Sequence, residues 1–141
     1  MSGREHISRY PVRVRYADVD PMGFTYYGNY LRWFEIGRTE FLRELGTTYR
    51  DVEASGVLYP VTETHVKYAA PARYDEAIVI VTRLAYVKRA SLRFDYEIIG
   101  ADDETLHATG WTVHAAVDRT GRIIRIADGL LQLLDRAVDR A

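Results

Sequence analysis

The order of the predicted elements limits this fold more than any other feature: one long helix stands between a single strand and a run of further strands. Apolar side chains recur at helical spacing over residues 30–45. The strand-like segments that follow are joined by short turns, and strands connected in this way pair antiparallel. A long and largely apolar helix has to be covered by another layer. We therefore predict an α+β fold in which an antiparallel sheet curls around one central helix.

The strand predictions rest on the alternation of apolar and polar side chains. Residues 7–16 alternate after Pro11, which suits the start of a strand or a sheet edge, and residues 91–99 alternate cleanly. Residues 76–87 are apolar on both faces through Val81, as in a central strand. The other predicted elements are strands over 57–69, 104–117 and 122–126, short helices over 48–55 and 128–137, and a loose N-terminal end over residues 1–6.

Three residues predict details of the long helix. Asn29 is expected to cap its N-terminus, and Gly46 is expected to end it. Gly37 lies within the apolar stripe, although glycine costs a helix roughly 1 kcal/mol relative to alanine. We expect that Gly37 compensates for this cost by letting the helix approach another backbone closely, near the small residues of the strand at 104–117.

The composition excludes several classes of function. With 141 residues and a formal net charge of −1, the chain has the size of one domain and lacks the basic surplus of a nucleic-acid-binding domain. It contains no cysteine, which excludes a disulfide framework, a cysteine nucleophile and a thiolate metal site. No stretch has the ~18 apolar residues of a membrane span, and the N-terminal residues lack the apolar core of a secretory signal. We expect a single cytoplasmic domain over residues 1–141.

The first candidates for chemistry are Asp18 and Asp20, in the turn between the first strand and the long helix. An aspartate before a proline often caps nearby backbone amides, which is a structural role. A helix start, however, offers unpaired N–H groups and a partial positive charge. A carboxylate beside such groups supplies a base or nucleophile together with a site for a developing oxyanion, which suits acyl transfer. The spacing alone leaves both interpretations open.

A longer stretch around these aspartates resembles a known family. The segment RVRYADVDPMGFTYYGNYLRWFEIGRTEFLR is similar to the opening of the hotdog-fold acyl-CoA thioesterases of the 4-hydroxybenzoyl-CoA thioesterase family. The shared pattern is an aromatic residue at the strand end, Asp-x-Asp, a glycine three residues later, an aromatic-rich turn, Asn-Tyr, and a helix with Glu-x-x-Arg. The later stretch VKYAAPARYDEAIVIVTRL resembles the second strand pair of that family, so the likeness covers residues 9–118.

The resemblance implies roles for individual residues. Asp20 would be the catalytic carboxylate, the backbone N–H of Tyr27 would polarise the thioester carbonyl, and Tyr16 would stand beside the site. The residues expected to contact substrate are Gly23, Phe24, Tyr26, Lys88 and Arg89. The last two would meet the phosphates of coenzyme A as charged hydrogen-bond donors. Without the resemblance, the same two residues would be interpreted as a solvated hairpin turn.

The activity that the resemblance implies is hydrolysis of acyl- or aryl-CoA thioesters, with Asp20 as nucleophile or as general base. It implies no metal and no redox cofactor. It also implies a homodimer with sites at the interface, or a homotetramer built as a dimer of dimers. Two alternatives stay open at this point: a non-catalytic hotdog module that binds acyl-CoA, and a hotdog dehydratase or hydratase.

The four histidines are interpreted as structural or surface residues. None forms a His-x-x-x-His pair on a helix, and the odd separation of His107 and His114 places them on opposite faces of one strand. The sequence also has no glycine-rich phosphate loop and no Gly-x-Ser-x-Gly nucleophile elbow. The candidate chemistry is therefore concentrated in the segment around Asp20.

Overall fold

Five strands form one antiparallel sheet in the computed structural model, which describes residues 6–138, and a long helix packs against this sheet. The helices are α1 (Asn29–Glu44), α2 (Tyr49–Ala54) and α3 (Asp128–Ala137). The strands are β1 (Ile7–Arg13), β2 (Val61–Tyr68), β3 (Ala77–Val87), β4 (Ser91–Gly100) and β5 (Leu106–Ala115). The predicted α+β fold, with an antiparallel sheet on a central helix, is confirmed.

The order of the strands in the sheet is β1-β3-β4-β5-β2, and every neighbouring pair is antiparallel. The strands β3, β4 and β5 follow one another in the chain and occupy the middle of the sheet. The strands β1 and β2 are separated in the chain by α1 and α2, and they lie at the two opposite edges. Pro11 lies in β1, where an edge strand tolerates its missing N–H.

One face of α1 and one face of the sheet form the core. The buried residues of α1 are Tyr30, Trp33, Phe34, Gly37, Phe41 and Leu42. The side chains of β4 on the core face are Leu92, Phe94, Tyr96 and Ile98, each at most 4% exposed. Both sets follow the predicted periods, about 3.6 residues on the helix and 2 on the strand. Leu31, which the sequence pattern also assigns to the apolar stripe, is 43% exposed and lies outside this face.

The start of α1 differs from the prediction. Gly28 is the cap residue, and no side chain caps the helix. Asn29 instead donates from Nδ2 to the backbone oxygen of Asp18 at 2.8 Å, which ties the helix to the turn before it. At the other end, Gly46 adopts a φ of +98°. Its N–H donates to the carbonyl of Arg43 at 3.0 Å, as predicted for a glycine that ends a helix.

Gly37 allows α1 to lie close to the sheet, but the contact is with β3. A Cβ atom at this position would lie 2.8 Å from Cγ2 of Ile80 and closer still to Oγ1 of Thr82. The small residues of β5 contact α1 at Phe34 instead. A Cβ atom at Gly110 of β5 would lie 2.6 Å from the ring of Phe34. The close approach at Gly37 is confirmed, whereas the strand and the kind of atom that it meets are corrected.

One predicted strand is absent and others are shorter than predicted, among them the strand at 57–69, which begins only at Val61. The first strand ends at Arg13, because residues Tyr16–Asp18 form a short 3-10 turn. Residues 122–126 contribute only an isolated bridge between Val117 and Ile123. In these last two places the backbone turns away from the sheet before a ladder of hydrogen bonds can extend.

Two histidines are buried and hydrogen-bonded to the backbone. His107 contacts the carbonyl of Ala70 through Nδ1 at 2.9 Å, and His114 contacts that of Tyr59 through Nδ1 at 3.0 Å. Burial lowers the pKa of His114 to about 4, so its ring is neutral near pH 7. These contacts agree with structural roles.

The other two histidines lie toward the surface. His65 is exposed and stacks on Trp111 with 5.7 Å between ring centroids. His6 contacts Oε1 of Glu44 through Nε2 at 2.8 Å, so this residue of the predicted loose end is anchored to α1. The remainder of that end, residues 1–5, lies outside the described residues.

Replacing Gly37 with alanine tests whether the close approach sets the position of α1. We expect Gly37→Ala to lower the free energy of unfolding by about 1–3 kcal/mol, because overpacking against β3 outweighs the higher helix propensity of alanine. Chemical denaturation measures the change. Gly129→Ala is the matched control, since that helical position has nothing within 4 Å of an added Cβ. A Gly37→Ala protein as stable as the control would contradict this packing argument.

Candidate active site

Asp20 begins a tight turn that its own side chain stabilises. Its Oδ1 accepts hydrogen bonds from the N–H of Met22 at 2.9 Å and of Phe24 at 3.3 Å. Gly23 supplies the positive φ of +83° that the turn requires, and its N–H donates to the carbonyl of Asp20 at 2.9 Å. The structural interpretation of this aspartate, as a residue that caps its own turn, is therefore correct for one of its two carboxylate oxygens.

The same turn occurs a second time in the chain, at residues 118–122. Oδ1 of Asp118 accepts from the N–H of Thr120 at 2.9 Å and of Arg122 at 3.0 Å. Gly121 has a φ of +89° and donates to the carbonyl of Asp118 at 3.0 Å. An Asp-x-x-Gly turn of this kind thus needs no catalytic role to explain it, and the surroundings must distinguish the two aspartates.

Asp20 lines a cleft of about 330 Å³. The cleft is lined by Asp20, Met22, Phe24, Thr25, Tyr27, Tyr30, Tyr68, Ala69, Ala70 and Pro71. Its walls come from the turn before α1 and from the segment that links β2 to β3. These two segments are joined where Thr25 donates to the carbonyl of Ala72 from both its N–H, at 2.8 Å, and its hydroxyl, at 2.9 Å.

The carboxylate of Asp20 has one oxygen that its turn does not use. Among residues 6–138, no group donates a hydrogen bond to Oδ2. Since Oδ1 is fixed by two backbone amides, the orientation of the carboxylate is set while Oδ2 stays available. Among residues 6–138, Asp20 is the only acidic residue in the lining of this cleft.

The start of α1 places unpaired backbone donors beside the cleft. The N–H groups on either side of this point are used: that of Tyr26 donates to Asp18 at 2.8 Å and that of Asn29 donates to Tyr26 at 2.9 Å. In the described part of the chain, the N–H groups of Tyr27 and Gly28 have no acceptor. Tyr27 lines the same cleft as Asp20. The partial positive charge of the helix N-terminus adds to these donors.

Asp18, the first aspartate of the pair, is a structural residue. It is 5% exposed, and its Oδ2 accepts from the N–H of Arg15 at 2.8 Å. Its Oδ1 pairs with Nη2 of Arg32 at 2.6 Å. Both carboxylate oxygens are therefore committed, and the ion pair links the turn before α1 to Arg32 near the start of that helix.

The structure brings only some of the predicted site residues together. Phe24 lines the cleft with Asp20 and Tyr27, and its ring lies 4.8 Å beneath the guanidinium of Arg73. Gly23 shapes the turn but does not line the cleft. Tyr26 packs its ring on that of Tyr27, with 4.5 Å between centroids, and also lies outside the lining.

Three further predicted residues lie away from the cleft of a single chain. Tyr16 is 78% exposed and packs edge-on against Tyr74. Lys88 and Arg89 are exposed in the turn between β3 and β4, where they line a separate groove of about 640 Å³ beside α3. In one protomer, the basic turn and Asp20 thus belong to two different cavities.

Two further tyrosines line the cleft: Tyr30, which belongs to the Asn-Tyr pair of the family pattern, and Tyr68, for which the sequence indicated no role in the site. Tyr30 is 3% exposed, and burial raises its pKa. Tyr68 comes from β2 and donates from its hydroxyl to the carbonyl of Tyr27 at 3.0 Å. The two residues in this bond are 41 positions apart, so no local spacing could have indicated it.

Comparison with known proteins identifies the class. Residues 14–134 match the thioesterase-like superfamily. The acyl-CoA thioester hydrolase YbgC of Escherichia coli O6:H1 is 35% identical over 70% of this chain and 74% of its own length. A hypothetical protein of Thermus thermophilus superposes with a TM-score of 0.88 at 32% identity, covering 96% of this chain and 100% of the other. The DHNA-CoA thioesterase of Staphylococcus aureus does so with a TM-score of 0.85 at 30% identity, covering 92% and 87%.

The chain therefore belongs to the thioesterase-like superfamily, and its fold is the hotdog fold. Within that class it is a thioester hydrolase, which confirms the resemblance drawn from residues 9–118. In residues 6–138, no helix is both long and apolar enough to cross a membrane. The cytoplasmic location stays a prediction.

The structural role of Asp18 can be tested by measuring the stability of the folded protein. We expect Asp18→Asn to lower the free energy of unfolding by about 1–3 kcal/mol, because the charged hydrogen bond to Arg32 is lost at a buried position. The matched control is Asp75→Asn, which removes an exposed partner of Arg13 at 3.6 Å and should change stability by less than about 1 kcal/mol. Thermal unfolding measures both. Equal effects of the two substitutions would contradict the structural role of Asp18.

Proposed function

We propose that this protein hydrolyses acyl- or aryl-CoA thioesters to the free acid and coenzyme A, with Asp20 as the catalytic carboxylate. One observation carries the proposal: a single cleft is lined both by Asp20, whose Oδ2 has no hydrogen bond within residues 6–138, and by Tyr27, whose N–H has no acceptor there at the start of a helix. The first can deliver a nucleophile and the second can receive a developing negative charge. Hydrolysis of an acyl group needs both within reach of one carbonyl.

The chemistry can follow two routes from this geometry. In one, Oδ2 of Asp20 attacks the thioester carbon, the thiolate of coenzyme A leaves, and water then hydrolyses the mixed anhydride. In the other, the carboxylate takes a proton from a water molecule whose oxygen attacks the same carbon, and the thiolate again leaves. In both routes the carbonyl oxygen becomes an oxyanion, which the N–H of Tyr27 stabilises. A thiolate is a weak enough base to leave without a dedicated general acid, since thiol pKa values are about 8.5.

The turn hydrogen bonds of Asp20 contribute directly to this role. The N–H groups of Met22 and Phe24 hold Oδ1 and so direct Oδ2. A carboxylate fixed in this way loses little rotational freedom when the substrate binds. The capping interaction at Oδ1 and the catalytic role at Oδ2 are therefore compatible in one side chain.

Substrate binding draws on residues outside the cleft. The groove beside Lys88 and Arg89 also contains Arg125, and this cluster of cations suits the phosphates of coenzyme A. The roles expected for Tyr16, Gly23 and Tyr26 beside the substrate rest on the family resemblance. None of these three residues lines the cleft of one chain.

The two edges of the sheet differ in a way that favours self-association through β2. The edge strand β1 carries Pro11, Arg9 and Arg13, which are features that discourage pairing with another strand. All but one residue of β2 are exposed, among them Val61 at 44% and Tyr68 at 48%. A second copy of the chain pairing its β2 here would extend the sheet and cover these side chains. We propose a homodimer formed in this way. The homotetramer remains an expectation from the family resemblance.

Substituting Asp20 tests the proposed activity. We expect Asp20→Asn to reduce kcat at least 100-fold with a small change in KM, because the substitution removes the base or nucleophile and keeps the turn acceptor. Release of coenzyme A from a panel of acyl and aryl thioesters can be followed with a thiol reagent, to which a chain without cysteine contributes no background.

The control for this experiment is Asp118→Asn, which alters the same kind of turn outside the site and should keep wild-type kcat. Full activity of Asp20→Asn would exclude the proposed role of Asp20. Binding of the thioesters by the wild-type protein without thiol release would instead favour a non-catalytic binding module.

The edge-strand dimer has its own test. Light scattering should give twice the 16.2 kDa mass of one chain. We expect Thr64→Asp, at the middle of β2, to weaken the dimer because each copy would bring an additional negative charge to the paired edge. Thr64→Asn is the uncharged control of similar shape and should remain dimeric. A wild-type protein that stays monomeric at micromolar concentration would contradict the proposal.

A further inference from the structure

Tyr68 links the edge strand to the start of the central helix. It is the last residue of β2, and its backbone pairs with Ala108 of β5. Its hydroxyl donates to the carbonyl oxygen of Tyr27 at 3.0 Å, and both residues line the cleft. The hydroxyl therefore contacts the residue whose N–H we assign to the oxyanion.

We propose that Tyr68 is a positioning residue for thioester hydrolysis, which fixes the peptide unit between Tyr27 and Gly28 so that the unpaired N–H groups of this turn face the substrate. This inference rests on the function proposed above. It adds a residue from the other side of the cleft to the catalytic machinery, and it gives the hydroxyl of Tyr68 a role that filling space does not explain.

Among residues 6–138, the carbonyl of Tyr27 accepts only two hydrogen bonds, one of which comes from Tyr68. The carbonyl of Tyr27 also accepts from the N–H of Tyr30, but at 3.4 Å, which is long for a hydrogen bond. The N–H groups of Tyr27 and Gly28 form no bond within residues 6–138. The hydroxyl of Tyr68 thus makes the shorter of the two hydrogen bonds to the carbonyl of Tyr27.

A hydrogen bond at the carbonyl also changes the adjacent amide. The carbonyl of Tyr27 and the N–H of Gly28 belong to the same peptide group. Donation to the oxygen polarises that group and strengthens its N–H as a donor, because hydrogen bonds in a chain reinforce one another. Tyr68 can therefore strengthen the N–H of Gly28 as a donor, and it restrains the backbone that directly follows the N–H of Tyr27.

The ring of Tyr68 is itself held in place. It packs edge-on against Tyr30, with 5.1 Å between centroids and 78° between planes. Tyr30 in turn packs against Trp33, which is 1% exposed. Partial burial and the neighbouring Tyr27 raise the pKa of Tyr68, so its hydroxyl keeps its proton at neutral pH and remains a donor.

The variant Tyr68→Phe removes the hydroxyl and keeps the ring. We expect kcat to fall about 10-fold while KM changes less than about twofold, because the loss is confined to stabilisation of the transition state. The melting temperature should stay close to that of the wild type. A purely structural role would produce the reverse: a lower melting temperature with unchanged kcat for the folded protein.

Two further measurements complete the test. Tyr74→Phe, at an exposed tyrosine outside the cleft, is the matched control and should keep wild-type kcat. The carbonyl carbon of Tyr27, labelled for NMR, should shift in Tyr68→Phe and remain unchanged in Tyr74→Phe. Unchanged kcat in Tyr68→Phe overturns the inference, as does an unchanged carbonyl shift.

Assaying Asp20→Asn in parallel separates this inference from the proposed function. If wild type is active, Asp20→Asn is inactive and Tyr68→Phe is fully active, only the role of Tyr68 is wrong. If Asp20→Asn keeps full activity, the assignment of Asp20 fails while the ratio of kcat for Tyr68→Phe and wild type still decides the role of Tyr68. A wild-type protein that releases no thiol from any thioester overturns both.

Discussion

The depth at which α1 lies against the sheet is the constraint on which the rest of the structure depends. Two glycines set that depth from opposite sides: Gly37 removes a side chain from the helix where β3 passes, and Gly110 removes one from β5 where the ring of Phe34 lies. Because the interior is close-packed, neither contact can relax without moving the helix. The position of the helix then fixes where its N-terminus lies, and Tyr27, directly before that N-terminus, lines the same cleft as Asp20.

The repeated Asp-x-x-Gly turn shows how local structure and function separate in this chain. At Asp20 and at Asp118 the same amides bond the same carboxylate oxygen, and a glycine with positive φ completes each turn. The local sequence explains both turns equally well. Asp20 differs from Asp118 in its tertiary surroundings, because it lines a cleft together with Tyr27 at the start of α1. The role that we propose for Asp20 therefore depends on where the fold places its turn and not on the local structure of the turn.

Periodic features of the sequence were predictable, and contacts between distant segments were not. The buried face of α1 and the alternation in β4 follow from side-chain spacing, which is set within each element. The role of Asn29 was missed because its amide finds the carbonyl of Asp18 instead of capping the helix, a choice that depends on where the preceding turn folds. Tyr68 was missed because its partner Tyr27 lies 41 residues away. The family resemblance assigned Asp20 and Tyr27 to the site, but it could not show that Lys88 and Arg89 line a separate groove.

The strand β2 takes part both in the dimer that we propose and in the site that we propose for hydrolysis. The strand β2 is the exposed edge through which we propose that two copies pair, and its last residue is the one that holds the carbonyl of Tyr27. Pairing at this edge would restrain the strand further, since β2 is held by β5 on one side only and each added ladder hydrogen bond restricts its backbone again. If a partner restrains β2, the hydroxyl of Tyr68 occupies a narrower range of positions. The peptide group of Tyr27 that accepts its hydrogen bond is then restrained as well. The dimer would thus contribute to the oxyanion site through the order of β2, even where no side chain of the partner touches the substrate.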